Sequence, residues 1–245
     1  MSDTRLYTDA PLTAGNSVEL HEDRARYVSR VLRLRPDDRV TLFDGSGAEY
    51  PATITSLRKD VVTLAVDDRR EIDRESRLKI RLLQGVSRGE RMDFAVQKAT
   101  ELGVARITPL FTEFSVVKLD EKRAARKTAH WRGVAASACE QCGRNVLPGI
   151  DPPVGLRHWL GDNPQDDSRR IILQPGADAT LGDIGDAADS VTVLIGPEGG
   201  FSEAEYEVAA ACGFRSIGFG PRILRTETAA AAILAALQTL YGDLA

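Results

Sequence analysis

From Leu78 to Tyr241, short apolar runs alternate with amphipathic stretches. Leu78–Val86, Arg106–Phe111, Ile171–Gln174, Val191–Ile195 and Ser216–Phe219 read as strands. The continuous β-branched run at Val191–Ile195 has the character of a strand buried on both faces. Helical patterns fall between them: Arg91–Leu102 closed by Gly103, about Lys122 to Cys142, a stretch carried by Ala204, Val208, Ala209 and Cys212, and Ala229 to about Tyr241. Ser202 with Glu205 three residues on is a capping box that starts the third of these. Such alternation predicts an α/β domain, a parallel sheet with helices on both sides. Residues 151–168, rich in Pro, Gly and Asp, read as a surface excursion.

The first part of the chain has a different rhythm. Val18–Leu20, Arg39–Asp44, Glu49–Leu57 and Val61–Val66 read as short strands, with turns at Asp44-Gly45 and Lys59-Asp60. One helix is expected from His21 to about Leu34, with Ala25, Val28, Val31 and Leu32 on its apolar side. Asp67–Arg77 is the densest charge run and reads as a solvated linker. The expectation is therefore two domains, residues 1–73 and 74–245, the first small and mostly β.

Composition changes the picture in one respect. The net charge of −4 argues against a nucleic-acid partner, but residues 76–150 carry +7 and residues 151–245 carry −8. A basic face can therefore exist on an acidic protein. A solvated helix over Lys118–Arg132 explains part of that excess, but not Lys79, Arg81, Arg88 and Arg91. Arg24, Arg26, Arg30, Arg33 and Arg35 lie on the polar side of the first helix, where they suit either solubility or RNA phosphates. No apolar run approaches the roughly 20 residues of a membrane span, and the polar, acidic start predicts no signal peptide. Three cysteines form no paired framework, and the expectation is a cytoplasmic protein. Cys139-x-x-Cys142 lacks a second pair, and His21, His130 and His158 are scattered, so neither a metal site nor a Ser/His/Asp hydrolase is expected.

Two unusual loops carry the chemistry. Gly196-Pro197-Glu198-Gly199-Gly200 follows the buried strand, and Gly220-Pro221-Arg222-Ile223-Leu224-Arg225-Thr226-Glu227-Thr228 follows the last one. In a parallel sheet both leave the carboxyl ends of their strands, where ligands of open sheets bind. Neither is a phosphate cradle. Glu198 would repel a phosphate but suits ribose hydroxyls, an amino group or a sulfonium. Thr226 is a plausible N-cap of the final helix, and Glu227 complements its dipole.

At these residues the chain resembles the RsmE family. The resemblance lies in LIGPEGGFSEAE (Leu194–Glu205), GPRILRTETA (Gly220–Ala229), GERMDFAVQKATELGVARITPLFTE (Gly89–Glu113) and WRGVAASACEQCGRNVLP (Trp131–Pro148), and more weakly in YVSRVLRLRPDDRVTLFDGSGAEY. It covers nearly the whole chain, with Arg91 standing where lysine is expected. It implies a SPOUT-type parallel sheet with a trefoil-knotted carboxyl-terminal region, and a PUA-like RNA-binding β-barrel at the amino terminus. It further implies a homodimer, S-adenosylmethionine as cofactor, and methylation of N3 of a uridine in 16S ribosomal RNA or the assembled small subunit.

Arg225 and Arg222 are then the candidate cations for the anion developing on uracil, and Glu198 or Glu227 the candidate carboxylate. The cofactor is expected on Leu173, Leu194, Ile195, Gly196, Pro197, Glu198, Gly199, Gly200, Phe219, Gly220, Ile223, Leu224, Arg225, Thr226, Thr228 and Ala229. RNA is expected on Arg5, Arg30, Arg33, Arg35, Arg88, Arg91 and Arg144. A catalytically silent RNA-binding protein and a nucleotide-binding α/β enzyme are the alternatives; donor binding by calorimetry separates the first, and the missing phosphate fingerprint counts against the second.

Overall fold

Backbone contacts divide the chain into two units, residues 1–75 with 139–147, and residues 76–138 with 148–245. The structure, a computed structural model, describes residues 4–116, 120–185 and 189–244; Lys118 of the expected basic helix lies outside them.

In the first unit, β1 (Arg5–Tyr7), β2 (Ser17–His21), β3 (Arg39–Phe43), β4 (Ala48–Arg58), β5 (Val61–Val66) and β6 (Arg70–Glu71) form a curled sheet. Its order is β1-β3-β4-β5-β2, with β6 pairing β4; only β1 and β3 run parallel. Alternating apolar residues such as Val40, Leu42, Ile54, Val62 and Leu64 fill one core with Ala25 and Val28 of the helix. That helix is not the regular one expected. α1 (Glu22–Arg26) passes into a π-helical stretch, Tyr27–Val31, in which Leu32 N–H donates to Tyr27 O at 3.0 Å. The wider turn rotates the apolar stripe, so Val31 is 66% exposed instead of facing the core.

The expected linker differs in part. Its β6 pairs with β4, Arg74 donates to Glu49 Oε2 at 2.9 Å, and Glu75 accepts from Arg144. Most of its residues are exposed and the boundary between the units falls after Glu75, as a solvated connector requires, but these contacts tie its first part to the first unit.

The second unit alternates strand and helix: β7 (Lys79–Gly85), α2 (Arg91–Glu101), β8 (Arg106–Phe111), α3 (Glu121–Cys142), β9 (Gly149–Ile150), β10 (Val154–Gly155), α4 (Leu156–Asp162), β11 (Arg169–Leu173), β12 (Ser190–Ile195), α5 (Glu203–Ala211), β13 (Arg215–Ile217) and α6 (Thr226–Tyr241). The last turn of α3, from Cys139, groups with the first unit. The sheet is parallel throughout, in the order β10-β8-β7-β12-β11-β13, with β9 also on β8.

Neighbouring strand residues point to opposite faces. Leu82, Val193 and Ile171 pack with α2 and α6, whereas Leu83, Leu194 and Ile172 pack with α4 and α5. The excursion expected over residues 151–168 therefore contains a core helix, since Leu156, Trp159 and Leu160 of α4 are buried. Its surrounding Pro, Gly and Asp residues obscured a three-residue apolar face. In α5, Ala209 is buried as expected but Ala204 is exposed, because the packed face passes through Glu205 instead.

Candidate active site

The loops leaving the carboxyl ends of β11, β12 and β13 enclose a cavity of about 450 Å³, within the range of about 300–1,000 Å³ typical of small-molecule sites. Leu173, Ile195, Gly196, Pro197, Glu198, Gly200, Phe219, Gly220, Ile223, Leu224, Arg225, Thr226 and Ala229 line it, as do Arg222 and Glu227. Three expected residues lie elsewhere. Leu194 faces α4 and α5 because strand faces alternate. Gly199 is exposed and backs onto Phe114, and Thr228 is exposed on α6.

Two devices bring the loops together. A Cβ on Gly85 would come within 2.3 Å of Pro197 N, so only glycine lets the end of β7 meet the first loop. Thr226 supplies the second. It is not an N-cap, a place taken by Arg225 with no side-chain bond; it is the first residue of α6. Its hydroxyl donates to Gly196 O at 2.6 Å and accepts from Gln84 Nε2 at 2.8 Å, joining both loops to β7. Gln84 escaped the sequence reading, although a polar residue ending an apolar strand is the signal that could have found it.

The wall is charged on one side. Arg91, expected on an RNA surface, lines the cavity and donates to Glu198 Oε1 at 2.6 Å, with its Nε 4.0 Å from Glu227 Oε1. Burial alone would raise the Glu198 carboxyl. The backbone N–H groups of Glu198 and Arg88, with the Arg91 guanidinium, outweigh it and hold the group below its ordinary value. Glu227 Oε2 is buried without a partner among the described residues. The guanidinium groups of Arg222 and Arg225 are exposed and carry no described hydrogen bond or ion pair. Apolar side chains, fixed carboxylates and exposed guanidiniums together suit a ligand with a flat apolar ring, hydroxyl or ammonium donors, and an anionic reaction partner. Gln174, Pro175, Phe201, Tyr206 and Ile217 complete the lining and were not foreseen. Burial, then the neighbouring Glu205, keeps the Tyr206 phenol protonated by raising it.

The other expected RNA contacts divide sharply. Arg30, Arg33, Arg35 and Arg88 are exposed. Arg5 and Arg144 are not surface cations: Arg5 donates to Glu49 Oε2 at 2.8 Å and Asn145 Oδ1 at 2.5 Å, and Arg144 donates to Glu75 Oε2 at 2.5 Å. Both are largely buried in ion pairs of the first unit. Among the described residues, no three His, Cys, Asp or Glu side chains group as a metal site. Cys139 is buried, which pushes its thiol up to about 12. Nor is any described helix long and apolar enough to cross a membrane.

An RNA methyltransferase domain family matches residues 74–238, and an RNA methyltransferase PUA domain matches residues 20–67. Fold, cavity and these matches define an RNA methyltransferase with a PUA domain. The chain is 34% identical to the ribosomal RNA small subunit methyltransferase E of Buchnera aphidicola subsp. Acyrthosiphon pisum, over 98% of this chain and 94% of that one. Ribosomal RNA small subunit methyltransferase E from Neisseria gonorrhoeae, solved bound to S-adenosyl methionine, is 39% identical with a TM-score of 0.91 over 100% of both chains. A Legionella pneumophila protein, solved in complex with the bound cofactor SAM, is likewise 39% identical, with a TM-score of 0.95 over 100% of both. This chain belongs to the ribosomal RNA small subunit methyltransferase E family.

Proposed function

We propose that this chain methylates N3 of one specific uridine in 16S ribosomal RNA, with S-adenosylmethionine as the donor held in the cavity between the two loops. The observation that carries the reading is the pairing of the Gly196–Phe201 and Phe219–Glu227 loops around one cavity whose wall holds Arg91, Glu198 and Glu227. The residues fit such a donor. Leu173, Ile195, Leu224 and Ala229 offer an apolar bed for a purine, and the carboxylates offer acceptors for hydroxyl and ammonium donors. The buried, partnerless Glu227 Oε2 is an acceptor awaiting a donor.

When bound, the sulfonium supplies a methyl group already activated for transfer. The protein has the remaining work. The two loops around the cavity align donor and acceptor and exclude water. Uridine N3 carries a proton at neutral pH, and Arg225 and Arg222 lower the cost of its loss by stabilising negative charge on the uracil ring. Glu198, kept ionised by its donors, is a fixed acceptor; with Glu227 it supplies the carboxylate side of the site. In this reading residues 1–73 bind RNA through Arg30, Arg33 and Arg35, and residues 74–245 catalyse. The family reading extends to a trefoil knot, a homodimer and a place in the cytoplasm with the ribosome. Ile223, 84% exposed beside the cavity, is available to a second subunit.

Incubation with unmodified 16S RNA, free and assembled into small subunits, followed by mass spectrometry of digested nucleosides, tests the reading. It expects 3-methyluridine at a single position; any other methylated nucleoside, or none, would sink it.

A further inference from the structure

Phe114 is a large apolar side chain left 46% exposed, yet its backbone is firmly held. Ser115 N–H donates to Thr112 O at 3.0 Å, and Thr112 N–H donates to Ser115 Oγ at 2.8 Å, closing a turn around it. Glu113 N–H donates to Oε1 of buried Glu205 at 2.9 Å, while Glu205 Oε2 accepts from Ser202 at 3.0 Å. One carboxylate thus caps α5 and pins the Phe114 turn to the first cavity loop.

Contact with that loop is close. A Cβ at Gly199 would lie 2.8 Å from Phe114 Cβ and 3.3 Å from its carbonyl oxygen, so glycine makes room for the phenylalanine. Gly199 stands between Glu198 and Gly200, which line the cavity, and Glu198 in turn accepts from Arg88 N–H and from Arg91. An exposed aromatic ring and two arginines therefore flank the same loop.

We propose that Phe114 is a stacking platform for an unstacked RNA base beside the first cavity loop. The proposal rests on the RNA-methylation reading. N3 lies on the pairing edge of uracil, so the base must leave its pair before methylation, and it thereby loses stacking partners. An aromatic face restores that stacking in single-stranded RNA, while arginines take the backbone phosphates. Arg88, exposed, and Arg91, partly so, offer cations to an RNA backbone beside the exposed carboxylates of Glu90 and Glu113, and RNA is the occupant to which the proposal commits.

Two variants of the full chain test it. Phe114→Ala should weaken binding of a single-stranded uridine-containing oligonucleotide by about 5- to 150-fold, with calorimetric affinity for S-adenosylmethionine unchanged. Phe114→Trp should keep activity, and its fluorescence should be quenched by that oligonucleotide but not by its duplex. The signal is assignable, since Trp131 and Trp159 are buried. Unchanged RNA affinity in Phe114→Ala, or an altered oligomeric state or donor affinity, would overturn the platform in favour of packing or a subunit contact. Methylation by Phe114→Trp without quenching overturns the platform alone; quenching of Phe114→Trp, with no methylation by that variant or by the wild-type protein, overturns the activity alone.

Discussion

Two clusters of arginine and carboxylate, one in each unit, put the same chemistry to opposite uses. In the first unit Glu49 is buried between Arg5 and Arg74, and Glu75 beside Arg144, with Asn145 and backbone carbonyls taking further donors. In the second, Arg91 holds Glu198 at 2.6 Å and Glu227 at 4.0 Å in a cavity wall, leaving Glu227 Oε2 without a partner and Arg222 and Arg225 exposed nearby. The first cluster contributes no residue to that cavity and is scaffold. A cluster that retains unmet donors and acceptors beside a cavity is poised for a ligand. Sequence alone could not separate the two, because both are built from arginines and glutamates near loops.

The comparison breaks most readily at the closed cluster. Glu49→Ala leaves Arg5 buried and short of its partner and should cost about 3–5 kcal/mol of stability, read by denaturant unfolding. Donor affinity of the remaining folded protein should be unchanged. At the open cluster the effects reverse. Arg225→Ala should keep the unfolding midpoint yet lower methyl transfer by about 10²–10³-fold, and wild-type turnover by that variant would remove its role. Arg91→Ala should weaken donor binding by about tenfold through loss of Glu198 alignment, at roughly 1.4 kcal/mol per decade. Arg91→Lys should recover part of it, since charge returns without the planar fork.

Acid acts on both clusters in the same direction. Burial alone would raise the Glu49 carboxyl, but the Arg74 and Arg5 guanidiniums outweigh it and lower it from 4.5. Its stabilising contribution is thus present above pH 4.5 and lost as pH falls through the lower folded value. Glu49→Gln should flatten that acid limb of the stability curve, and Glu198→Gln, whose carboxyl is lowered in the same direction, should flatten it as well. The smallest effect belongs to the exposed arginines: Arg33→Ala should leave stability unchanged and reduce the salt slope of RNA binding by about one.

Much of the second unit was legible. Val191–Ile195 announced a two-faced strand, Ser202 and Glu205 form the expected capping box, and the two loops do enclose one cavity. Periodicity failed where a local irregularity broke its phase, as in the π-helical turn that exposes Val31, or where an element was too short to show a period, as in α4. Burial of Arg5 and Arg144 was illegible for another reason: their partners Glu49 and Glu75 are 44 and 69 residues away along the chain. Arg91 reached the cavity by the same kind of long-range contact, to Glu198. Thr226 kept its place at the start of α6 but exchanged a cap for a bond between loops.

A crystal structure of the protein saturated with S-adenosylmethionine bears most directly on the open cluster. The account predicts density for the donor between residues 196–201 and 219–227, with Glu198 or Glu227 accepting from its hydroxyl or ammonium groups. Density for the donor anywhere else, with this cavity vacant, would contradict it.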